Sequence, residues 1–105
     1  MTRPSDLDTL IARHQDGLAL PREFYTRQDI YDYDIAAYWN QSWIWVGHES
    51  QLPTPGDYIT FDYGQESIIV VRDKEGALHA HLNVCRHRGS RVCTESSGNA
   101  RVLVC

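Results

Sequence analysis

The sequence predicts a mainly β domain led by N-terminal helices, an α+β arrangement whose antiparallel strands form a small barrel or sandwich. Three observations predict it. Ile59, Phe61 and Tyr63 alternate along one side of a segment bounded by Pro53-Thr54-Pro55-Gly56 and Gly64, the period of a half-buried strand. Residues 67–72 are β-branched on both faces, and Asp73-Lys74-Glu75-Gly76 then turns the chain back into residues 77–84. Ahead of these, apolar residues recur at helical spacing.

Taken in order, Ser5-Asp6-Leu7-Asp8 reads as a helix start, a capping side chain with an acid three residues on. Leu7, Leu10 and Ile11 continue it, and Asp16-Gly17 ends it. Residues 18–24, with Pro21, read as an extended arm. A second helix is expected over residues 34–41, where Ile35, Tyr38, Trp39 and, just beyond, Trp43 share a face. Ser42-Trp43-Ile44-Trp45-Val46-Gly47-His48 is rich in strand formers. Pro55-Gly56 suits the middle of a type II turn. Residues 57–63, 67–72 and 77–84 are expected as strands, 95–99 as a polar loop around Gly98, and 101–104 as a last strand. That makes about five strands, the usual sheet size. Trp39, Trp43, Trp45 and the nearby tyrosines are expected in the core. The division expected is a helical lead-in over residues 1–41 and a β domain over residues 42–105.

Composition narrows the function classes. A chain of 105 residues is one domain's worth, and 42% hydrophobic content supports a modest core. No segment is apolar for long enough to cross a bilayer, and the first fifteen residues lack the apolar run of a signal peptide. A cytoplasmic protein with no membrane partner is expected. The net charge of −4 opposes binding to nucleic acid. That charge is uneven: Arg86, Arg88, Arg91 and Arg101 face one acid, Glu95, over residues 85–105. A local basic patch on an acidic body is usually a set of internal salt bridges and hydrogen bonds, and less often a partner's docking site.

Three cysteines in a chain with no export signal argue against a disulfide framework and for metal or nucleophile chemistry. Cys85 and His87 stand two apart in Asn83-Val84-Cys85-Arg86-His87-Arg88-Gly89. At a strand end, positions i and i+2 face the same way, so both reach one site. Gly89 supplies a positive φ or a close backbone approach that folds the loop over it. Seventeen residues, 88–104, separate His87 from Cys105, enough for an excursion and return. Cys93 fits no ligand position and reads as a packed thiol. His79 and His81 share a strand face as solvated or hydrogen-bonded side chains. His14 and His48 carry no spacing signal.

Here the chain resembles a known family. Cys-x-His followed, after such a gap, by Cys-x-x-His is the Rieske pattern, in which two cysteines hold one iron of a [2Fe–2S] cluster and two histidines the other. The blocks LPREFYT, WIWVGHE with LPTPGDY, IIVVRDKEG and NVCRHRGSRVC are similar to the N-terminal part of the large (alpha) subunit of Rieske non-haem iron oxygenases. Membrane-bound cytochrome bc Rieske proteins carry a further cysteine directly after the loop glycine; Ser90 stands here.

The resemblance implies that Cys85, His87 and Cys105 are metal- and cofactor-binding residues. It implies a Rieske-like small barrel or sandwich that is incomplete at the C-terminus, with the fourth ligand beyond Cys105. It also implies an NAD(P)H-dependent reductase or ferredoxin as electron source, a mononuclear Fe(II) in a separate catalytic domain, and a homo-oligomer, commonly a trimer. The activity implied is hydroxylation or N-demethylation of an aromatic or betaine-like substrate with O2. Two other readings use the same residues: a free-standing Rieske ferredoxin-like carrier, and a zinc-binding interaction module built on Cys85, His87, Cys93 and Cys105. Colour separates them, since a zinc module is colourless and a [2Fe–2S] protein is not.

The ligand pattern makes one direct prediction. Histidine is expected three residues after Cys105 in the parent gene, and sequencing past that codon checks it; any other side chain there removes the basis of the Rieske reading.

Overall fold

The computed structural model describes residues 2–104. The chain divides into two compact units, Met1–Trp45 and Val46–Cys105.

The first unit is helical. Helix α1 (Leu7–Ala12) buries Leu7 and Leu10, as their spacing predicts. Asp6 stands at its N-cap without making a side-chain cap bond. Its carboxylate instead takes both guanidinium nitrogens of Arg27, at 2.6 and 3.0 Å. A two-bond ion pair with a guanidinium outcompetes a single cap bond to a backbone N–H. Arg27 also holds Asp29 at 2.6 Å. Gly17 turns the chain with φ +82°. The arm expected over residues 18–24 is corrected in part: its end winds into a single turn, α2 (Glu23–Thr26), with Phe24 and Tyr25 N–H donating back to Pro21 and Arg22 carbonyls. The second long helix is α3 (Gln28–Ala37), six residues earlier than expected, and its buried residue is Ile30. The expected face of Ile35, Tyr38 and Trp39 is not the buried one, and Ile30 anchors the helix instead. The tryptophans lie on a 3-10 turn, Trp39–Gln41, and beyond it.

Residues 42–48 form no strand. Strand propensity needs a neighbouring edge to pair with, and no ladder reaches them among the described residues. Trp43 and Trp45 are 101% and 79% exposed, and Trp39 is exposed too, so these rings are not core.

The second unit is a four-stranded antiparallel sheet in the order β3-β2-β1-β4. Strands β1 (Asp57–Tyr63) and β2 (Glu66–Arg72) pair from Tyr63↔Glu66 to Tyr58↔Val71. Strand β3 (Leu78–Leu82) pairs with β2 and forms one edge of the sheet. The Pro55-Gly56 turn is type II, as predicted: Asp57 N–H donates to Thr54 O at 3.0 Å and Gly56 has φ +90°. The β2–β3 turn is organised by Asp73, whose Oδ1 accepts the N–H groups of Glu75 and Ala77 at 2.9 and 2.8 Å. Arg72 donates to the carbonyls of Leu52 and Gly76, which ties the approach to β1 against this hairpin. Ile69 and Leu52 are each 2% exposed and centre the core.

Two expectations after β3 are corrected. Residues 95–99 hold strand β4 (Ser97–Asn99), which pairs with Asp57, Tyr58 and Ile59. A Cβ at Gly98 would lie 2.7 Å from Tyr58 Oη, so the glycine marks a close approach rather than a loop. Residues 101–104 form no strand, and Val102 and Val104 are exposed. Among the described residues, no helix is long and apolar enough to cross a membrane.

The turn carboxylates couple this sheet to pH. The Asn99 amide and the Thr54 N–H hold the Asp57 carboxyl below the usual carboxylate range. His79, then the Ala77 N–H, does the same for Asp73. A depressed folded-state pKa stabilises above the unfolded value, and that stabilisation is lost as pH falls through the folded one. The urea midpoint is therefore expected to hold from neutrality to about pH 5 and to fall below about pH 4. Asp73→Ala should lower it at neutral pH and flatten the acid loss, as denaturation at pH 7, 5 and 3 would read.

Candidate metal centre

The candidate ligands lie on the loop that follows β3. Leu82 is the last ladder residue, opposite Ile68. Asn83 extends the contact by one bond, its N–H donating to Ser67 O at 2.8 Å. Strand β2 begins at Glu66, so the returning chain runs out of partner and leaves the sheet. It then turns at residues 86–88. Two backbone bonds close that turn: Cys85 N–H donates to Ser90 O at 2.6 Å, and Gly89 N–H donates to Cys85 O at 2.9 Å. Gly89 takes φ +71°, the conformation expected of it, which a residue with a Cβ adopts only at roughly 1–2 kcal/mol.

The turn corrects how Cys85 and His87 are related. They do not share a strand face, because the strand ends before them. Cys85 is buried at the base of the turn, and His87 is exposed in its middle. Cys105, like Met1, lies outside the described residues. Among the described residues no three His, Cys, Asp or Glu side chains gather at one point, so Cys85, His87 and Cys93 do not make a site of three on their own.

Cys93 is buried, and burial pushes its thiol pKa up. A thiol so held is a poor source of thiolate, in keeping with a packing role. His79 and His81 share a face as expected, with rings stacked at 6.2 Å, and His79 Nε2 lies 2.7 Å from Asp73 Oδ2. His48, which carried no spacing signal, caps the 3-10 turn Glu49–Gln51: Ser50 N–H donates to its Nδ1 at 3.1 Å.

The residue that sequence reasoning missed is Asn83, at 4% exposure. Its Nδ2 donates to Cys93 O at 2.8 Å and to Ser67 Oγ at 3.0 Å. Its Oδ1 accepts the N–H groups of Cys93 at 2.9 Å and Val92 at 3.0 Å. In strand alternation Asn83 falls on the side of His79 and His81, which are exposed. Only the break after Leu82 turns it inward, and nothing in the sequence period marks that break.

Charge follows the same loop. Arg91 pairs with Asp62 at 3.0 Å. The Ser67 hydroxyl and then Arg91 hold the Asp62 carboxyl below its usual range. Asp62 and Ser67 are themselves cross-strand partners on β1 and β2. Arg86 and Arg88 are exposed and make no ion pair among the described residues. A sulfur in a dry position and an imidazole at the surface of the same turn are the donor types a mixed sulfur–nitrogen iron centre takes. The loop fits such a group.

Comparison with known proteins agrees. The family described as Rieske [2Fe-2S] domain matches residues 42–105. The chain is 40% identical over 101 residues to the benzene 1,2-dioxygenase subunit alpha of Pseudomonas putida, covering 96% of this chain and 22% of that protein. It is 38% identical over 96 residues to the glycine betaine monooxygenase oxygenase subunit of Chromohalobacter salexigens, covering 91% and 22%. Among solved structures, naphthalene 1,2-dioxygenase from Rhodococcus sp. bound to indole superposes with a TM-score of 0.75 at 30% identity, over 90% of this chain and 21% of that one. The quaternary ammonium Rieske monooxygenase CntA in complex with gamma-butyrobetaine gives 0.71 at 35%, over 95% and 28%. The chain thus spans about a fifth of the length of the curated relatives named.

Proposed function

Since this chain belongs to the Rieske [2Fe-2S] domain family, we propose that it is the electron-transfer segment of an oxygenase alpha subunit, with residues 42–105 as the cluster-bearing domain and residues 1–41 as its lead-in. Cys85 and Cys105 hold one iron; His87 and a histidine beyond residue 105 hold the other. The observation that carries this reading is the turn at residues 86–88, which sets a buried sulfur and an exposed imidazole on one short loop. When bound, the cluster supplies a one-electron centre of raised potential, because neutral imidazoles replace two thiolates.

The chain's own residues have distinct tasks. Burial at Cys85 keeps water from the sulfur side. Exposure at His87 leaves the imidazole as the point of electron entry and exit. Arg86 and Arg88, flanking His87, raise the local potential and attract an anionic donor, in our reading a ferredoxin or an NAD(P)H-dependent reductase. In the parent protein the electrons serve a mononuclear iron in a separate catalytic domain, where O2 is used on an aromatic or quaternary ammonium substrate. A cytoplasmic homo-oligomer, of the trimeric kind, completes the proposal. The relatives named above are oxygenase subunits, which favours this reading over a free-standing carrier or a zinc module.

Two outcomes test it in the full-length protein. Cys85→Ala and His87→Ala should each abolish the visible absorption and the reduced-state EPR signal, whereas Cys93→Ala should keep both; an unchanged spectrum in either of the first two refutes the assignment. Arg86→Glu with Arg88→Glu should slow reduction by a protein donor about tenfold or more at low salt, the difference closing as salt rises. Stopped-flow reduction over a salt series reads it, and equal rates at every salt would exclude the docking role.

A further inference from the structure

The Asn83 carboxamide uses all of its hydrogen-bonding capacity. Two N–H donors and two acceptor positions meet four partners. Those partners lie on separate stretches of chain: Ser67 at the start of β2, and Val92 and Cys93 beyond the ligand turn. Asn83 itself stands two residues before Cys85. Its backbone adds a further bond to Ser67. A single side chain thus joins the entry to the ligand turn, the exit from it, and the sheet.

The exit carries a second tie to the same place. Arg91 pairs with Asp62, and the Ser67 hydroxyl also holds Asp62. Asp62 and Ser67 form one rung of the β1–β2 ladder. Both ends of the turn are therefore fastened to that rung. These bonds involve only protein atoms, and none of them uses the side chain of Cys85 or His87.

We propose that Asn83 is a positioning residue for the metal centre, which fixes the Cys85–His87 turn in its ligating shape before the metal arrives. The proposal rests on the assignment of Cys85 and His87 as ligands. A loop already ordered loses little conformational freedom on binding metal, and it releases metal slowly because the ligands cannot drift apart. Neither aspartate nor alanine meets the requirement. Aspartate keeps both accepted bonds and loses both donated ones; alanine leaves the amides of Val92 and Cys93 and the carbonyl of Cys93 without their partner.

The test uses the full-length protein loaded with iron and sulfide, with Ser67→Ala, Asn83→Asp and Asn83→Ala as a graded series and Ile69→Val as a core control away from the loop. Loss of visible absorbance under a chelator should accelerate through the series, reaching about 10- to 100-fold for Asn83→Ala. The reduced EPR lines of the variants should broaden, since Cys85 and His87 sample more geometries, and Asn83→Asp should lower the midpoint potential by adding negative charge. Ile69→Val should lower the thermal midpoint and leave release rate, EPR lines and potential unchanged. Wild-type rates and lines in Asn83→Ala would overturn the proposal, as would an Ile69→Val effect of equal size. Should Asn83→Ala fail to fold, the ranking of Ser67→Ala and Asn83→Asp decides, and wild-type behaviour in both counts against it. A wild-type protein without the spectrum would instead refute the ligand assignment, a separate failure.

Discussion

Four hydrogen bonds to one buried carboxamide give the second unit its order. Without Asn83, the segment that carries Val92 and Cys93 has two N–H groups and a carbonyl facing a place with almost no water. Leaving a buried polar group unpaired costs roughly 1–3 kcal/mol, so the loop closes in the shape that pairs all three. The same bonds bring Cys93 inward, where its thiol packs as a small apolar group. The sheet supports the arrangement through Ser67, which receives both the backbone and the side chain of Asn83. Burial of a polar residue here serves shape rather than bulk stability.

The sheet that bears this load is itself held by its turns. Arg72 reaches across to carbonyls on both sides of β2. Asp57 and Asn99 bind each other's strands at 2.9 Å, which keeps β4 in register. Gly98 and Tyr58 then fit together because one of them has no side chain. These contacts at the strand ends add to the register that the buried face already sets.

Much of this was legible in the sequence, and the failures share a cause. Strands β1 and β2 follow from alternation and from β-branched runs, which are local properties. So do the Pro55-Gly56 turn, the Asp73 hairpin and the left-handed Gly89. The missed elements depend on partners distant in the chain. Residues 42–48 have the composition of a strand and pair with none among the described residues, whereas Ser97-Gly98-Asn99 has the composition of a loop and pairs with β1. Helix α3 starts ahead of the aromatic cluster because Ile30, and not Trp39 or Trp43, is the buried residue. At the candidate centre, spacing alone drew attention to Cys85 and His87, but it supplied the wrong geometry, a shared strand face in place of a turn. Asn83 was invisible for the same reason: its role is defined by Ser67 and Cys93, sixteen and ten residues away.

Strand β3 is an edge, and every residue of it is exposed. Its outer row of amides and carbonyls faces outward, with Leu78 and Leu82 beside it. Such an edge is a template for adding another strand, and proteins usually blunt it with charge or cover it. Among the described residues, the polar side chains that this strand itself carries are two histidines. Handled by itself at high concentration and neutral pH, this stretch of polypeptide would be expected to self-associate edge to edge, and solubility would become the practical ceiling on its purification.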